Sequence, residues 1–92
     1  MLQNHFVKMR PKGGKRVEGV LASNMLNMMP TNRLFTLDDA IAVVEERLRY
    51  HPEEKGELPT NKRGVHDVLE NLAKQGFIKE FVGVTLEKTL GV

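Results

Sequence analysis

The chain has 92 residues, of which 40% are hydrophobic and 28% charged, with no Cys, no Trp and a single Tyr. That length makes one domain, near the lower end of what buries a self-sufficient core, so a protein partner or a homodimer is a natural completion. The absence of cysteine excludes a disulfide framework, thiolate chemistry and thiolate zinc sites, and His5, His51 and His66 fall at no ligand-like spacing. No metal and no cofactor are expected. No run approaches the ~18 apolar residues of a membrane span, and the amino terminus, MLQNHFVKMR, lacks the apolar core of a secretory signal. An intracellular location without membrane contact is expected.

The net charge of +2 conceals a division. Before residue 36, Lys8, Arg10, Lys12, Lys15, Arg16 and Arg33 face one acid, Glu18; after it, the balance is acidic. Basic charge concentrated at one end is what a polyanion-binding patch requires.

From His5 to Leu21 the sequence predicts a basic β-hairpin, with HFVKMR and RVEGVL as strands around the turn signal PKGGK. Its tip carries Arg10, Lys12, Lys15 and Arg16, placed to follow a phosphate backbone. Residues 22–35 read as a Met-rich connector in which Ser23 caps a single helical turn before Pro30, its methionines filling gaps in the core.

Residues 36–92 form a helix-helix-strand unit. Thr36 and Asp39 have capping-box spacing, and Leu37, Ile41, Val44 and Leu48 form an apolar helix stripe that ends near Tyr50, before Pro52. A polar linker follows, with room for a short turn, or for a brief strand around Glu57 and Leu58. In TNKRGVHDVLENLAKQGFIKEF, Thr60 or Asn61 caps a second helix. Its stripe is Val65, Val68, Leu69 and Leu72, and Gly76 ends it. Phe77, Ile78 and Phe81 open a strand, and the tail beyond it either returns as a second strand or continues as a bent one. Lys62 and Arg63 sit where the helix dipole is already positive, a local cost that a bound phosphate offsets.

Catalytic patterns are missing. Ser23 has no local His or acid, PKGGK lacks the spacing and ending of a nucleotide-binding loop, and His66 reads as a hydrogen-bonded surface or half-buried imidazole. A non-catalytic binding protein is expected.

Across Leu58–Phe81, LPTNKRGVHDVLENLAKQGFIKEF resembles the last helix and first wing strand of winged-helix DNA-binding domains. With the preceding helix DDAIAVVEERLRY it is also similar to the amino-terminal half of the eighth small-subunit ribosomal protein. Both resemblances imply a nucleic-acid partner and carry over Lys62 and Arg63 as phosphate contacts. The expected fold is α+β: a small antiparallel sheet built from the amino-terminal hairpin and the carboxy-terminal strand, with two main helices on one face. The expected function is binding of DNA or RNA through Arg10, Lys12, Lys15, Arg16, Lys62 and Arg63, with both clusters on one side of the domain. The alternative classes are an RNA-binding subunit and a protein-interaction module such as a small inhibitor.

Overall fold

The structure, a computed structural model, describes residues 3–10 and 12–84. In chain order the elements are strand β1 (Gln3–Lys8), a 3-10 turn (Lys12–Gly14), helix α1 (Val20–Met28), strand β2 (Phe35–Thr36), helix α2 (Leu37–Tyr50), a second 3-10 turn (Pro52–Glu54), helix α3 (Lys62–Gln75) and strand β3 (Ile78–Val84). The α+β class is as expected. Among the described residues, no helix is long and apolar enough to cross a membrane.

The sheet order is β2-β1-β3, with β1 antiparallel to both neighbours. This corrects the expected hairpin. Its first half is a strand, but both edges of that strand are occupied by β2 and β3, which leaves no edge for RVEGVL. Gly19 adopts φ 99°, and Val20, Leu21, Ala22, Met25 and Leu26 instead supply a nine-residue helix. That helix also replaces the single turn expected after Ser23. Gly19, not Ser23, stands at its amino end, and no side chain caps it. Leu58 is buried, yet residues 57–58 form no strand. Beside β3 lies β1, not a returning wing strand; residues 85–92, where the tail was expected to turn back or continue, lie outside the described part.

Local signals place α2 and α3. The Thr36 hydroxyl accepts from the Asp39 N–H at 3.1 Å and the Asp39 carboxylate accepts from the Thr36 N–H at 2.9 Å, closing the capping box. The Asn61 side chain accepts from the Gly64 N–H at 2.7 Å. At the far end of α3, Gly76 at φ 88° takes the left-handed cap conformation and Phe77 N–H returns to the Leu72 carbonyl at 2.9 Å.

The helices bury one face of the sheet. Val44, Val65, Leu69, Leu72, Phe77 and Ile78 are buried as expected, and Leu37, Ile41, Leu48 and Val68 pack partly buried against them. Phe6 and Phe35, partners across β1 and β2, are fully buried with ring centroids 5.8 Å apart. Met25 and Met29 fill the space beneath α1.

The end of β1–β3 near Gln3 carries a bulge. Gln3 pairs with Val84 and His5 with Phe81, so Asn4 opposes both Val82 and Gly83, and Gly83 takes φ 62°. Asn4 holds the irregularity, accepting from the Gly83 N–H at 3.0 Å and donating to the Glu80 carboxylate at 3.1 Å.

Leu69 is fully buried at the centre of this core, so Leu69→Ala is expected to cost about 2–5 kcal/mol, read from a denaturant midpoint. A second outcome concerns the turn after α2, where Arg47 donates to both Glu54 carboxylate oxygens at 2.6 and 2.7 Å. That hydrogen bond, with the attraction of the charge, holds the Glu54 carboxyl below its ordinary value of 4.5. A depressed carboxyl contributes stability above its unfolded pKa and loses it as pH falls through the folded one. An NMR titration is expected to place the Glu54 midpoint below 4.5, and Arg47→Ala to return it upward.

Candidate functional site

The expected basic residues divide between the two ends of α3. Lys62 and Arg63 open that helix and are exposed. Lys15 reaches its other end, donating to the Gln75 carbonyl at 3.0 Å. Thirteen residues at 1.5 Å each separate these points by roughly 20 Å. The two clusters therefore stand at opposite ends of α3 and do not form one contiguous patch.

At the carboxyl end of α3 the structure assembles a different group. The loop after β1 is pinned there by Gln75, whose side chain accepts from the Glu18 N–H at 2.8 Å and donates to the Glu18 carbonyl at 3.0 Å. Beside the loop runs the end of β1, where Met9 N–H bonds the Phe77 carbonyl at 2.9 Å and Lys8 pairs with Ile78. Arg10, Lys15 and Arg16 thus lie exposed at this end, and Lys12 belongs to the same loop, although its side chain lies outside the described part.

Four cations outside the expected site residues join them. Lys74 lies in the last turn of α3. Lys79 is exposed near the start of β3, paired with Val7. The Lys8 ammonium reaches the Thr31 hydroxyl at 3.5 Å, and the exposed Arg33 follows two residues after Thr31. Five segments therefore contribute cations to one end of the domain. The acid that these contacts bring alongside is Glu18, and its backbone, not its carboxylate, makes the contact with Gln75.

The amino end of α3 has a different character. Lys62 lines a shallow depression with Gln3, Asn4, Thr36, Leu37 and Asp38, so an acid lies among its surroundings. Between the two ends, the exposed surface of α3 carries Asp67 and Glu70, with His66 within 3.7 Å and 3.5 Å of their carboxylates. Those three side chains have ligand atoms within 4.8 Å of one another. However, the two carboxylates approach different ring nitrogens, so a single ion cannot use both contacts as they stand. The imidazole is a half-buried group beside two acids.

Comparisons of the chain with models of known families, with curated proteins and with solved structures find no match.

The pinning of the basic loop depends on Gln75, which yields a direct expectation. Gln75→Ala should cost about 1 kcal/mol, the usual net worth of a lost hydrogen bond, and should accelerate amide exchange at Glu18. Unchanged exchange at Glu18 would show that the loop is held by something else.

Proposed function

We propose that this protein binds nucleic acid without catalysis, through phosphate contacts made by the basic end of the domain: Arg10, Lys15, Arg16, Arg33, Lys74 and Lys79, with Lys8 at its border. The supporting observation is the convergence of these cations from separate segments. A run of lysines in one loop is an ordinary solvated tip, whereas cations gathered by strand pairing and a loop clamp create a field that a polyanion relieves by releasing its counterions.

The helix-first mode implied by the winged-helix resemblance is less favoured. A backbone laid along α3 from Lys62 to Lys74 would pass Asp67 and Glu70, both exposed. Lys62 and Arg63 are accordingly assigned to an ordinary solvated helix start, near Asp38.

Charge reversal separates the two ends. Arg16→Glu with Arg33→Glu is expected to weaken binding to unrelated sequences and to lower the salt slope by roughly 0.7–0.9 per lost phosphate contact. Lys62→Glu with Arg63→Glu should leave binding close to the parent's and slightly favour α3, since it places anions at a positive helix end. Binding by the Arg16/Arg33 variant at the parent's affinity would remove this reading. Lys15 is left intact in both variants, because its contact with the Gln75 carbonyl gives it a stabilising role of its own.

A further inference from the structure

Resting on that reading, we infer that the nucleic acid is single-stranded and crosses the sheet face opposite the helices, with a base stacked on Phe81 and its phosphates on Lys79 and the adjoining cations.

The alternation of the strands defines this face. Phe6, Phe35 and Ile78 point into the core with the helices. His5 and Val7, which flank Phe6, and Lys79 with Phe81 two residues on, therefore belong to the other face, where the register places the buried His5 beside Phe81 and Val7 beside Lys79. Val7 and Phe81 are half-buried yet stand apart from the core cluster. Met9, two residues beyond Val7, is 45% exposed. Glu80, the acid of β3, alternates away from Lys79 and Phe81 and is held by Asn4. The face thus pairs apolar and aromatic surface with a cation.

Its chemistry selects the form of nucleic acid. The Lys79 ammonium stands 5.2 Å from the centroid of the Phe81 ring, a cation–π arrangement worth little at an exposed site and readily exchanged. A base arriving on the ring would displace the ammonium towards the phosphate that accompanies it, so the two side chains would divide the nucleotide between them. A duplex keeps its bases stacked inside and offers phosphates alone, leaving Phe81, Val7 and Met9 without a role. An unpaired strand offers both base faces and phosphates, and aromatic platforms beside basic grooves recognise such strands with little sequence preference. Lys79 also lies at the basic end of β3, so a backbone held by Arg10 and Arg16 runs onto this face without crossing the acids of α3.

The test measures binding of fluorescently labelled oligothymidylate, oligouridylate and a duplex of equal length to the full chain and its variants. The single strands are expected to bind more tightly than the duplex. Phe81→Leu should weaken single-strand binding by roughly 5- to 100-fold, the usual worth of one stacked base, while leaving the salt slope unchanged. Phe81→Trp should retain the affinity, which separates loss of stacking from loss of folding. Because the chain has no other Trp, quenching of this indole on binding would report the stack directly. Equal affinity for the duplex, or parental affinity in Phe81→Leu, would overturn the inference. If binding is confined to the duplex and still falls with Arg16→Glu/Arg33→Glu, this inference alone fails; if the parent binds none of the probes, the phosphate-binding reading fails with it.

Discussion

The pairing of β1 between β2 and β3 is the constraint on which the remaining architecture depends. It joins Gln3 to Val84 across nearly the whole described chain and gives the helices a sheet to cover. Without it, β2 is two residues and β3 a lone strand, neither of which is stable by itself in water. The entropic cost of closing so long a loop rises by only about 0.6 kcal/mol per doubling of length, so burying Phe6 and Phe35 together readily offsets it. The cost appears instead in kinetics, since contacts of such high sequence separation form slowly.

The same pairing produces the basic end. Because β2 and β3 take both edges of β1 at His5 and Phe6, the chain does not fold back as a hairpin after Lys8 and travels to the start of α1. The route passes the end of α3, where Gln75 clamps the backbone of Glu18 and Lys15 meets the last carbonyl of the helix. Cations near the negative pole of a helix are favoured, which offsets part of the repulsion among Lys15, Lys74 and their neighbours. At usual salt the rest is screened over about 10 Å. Loop path, helix pole and strand register therefore gather charge that the linear sequence distributes from Lys8 to Lys79.

What was legible in the sequence was local. Thr36 with Asp39, Asn61 and Gly76 mark helix ends through contacts spanning a few residues, and the stripes of α2 and α3 follow from a 3.6-residue period; all were found where their residues indicated. The mistaken elements required non-local knowledge. A Gly-Gly signal states that the chain turns but not which strand it turns towards, and Asn4 and Lys8 make β1 resemble an edge although it is central. The two-residue β2 explains this disguise, because Lys8 lies beyond its reach and remains partly exposed. Likewise, Arg10, Lys15 and Arg16 were recognisable as a cluster in one segment. Arg33, Lys74 and Lys79 join them only through the Lys8–Thr31 contact, helix length and strand register, while Lys62 and Arg63 are removed from them by the length of α3.

The acids are distributed unevenly between the helical layer and the sheet. Asp38 and Asp39 occupy the first turn of α2, where they suit the dipole and close its cap. Asp67 and Glu70 occupy the solvent face of α3, and Glu53 and Glu54 the turn after α2. Each group lies on or beside a helix, so the helical layer presents mixed or negative charge to an approaching polyanion. On β3, Glu80 alternates away from Lys79 and is held by Asn4, which also spans the bulge at Gly83. Moving Glu80 to the open face would require a one-residue slip of β3, and that slip would expel Ile78 from the core. The burial of Ile78 and the cationic character of the open face are therefore fixed by one register.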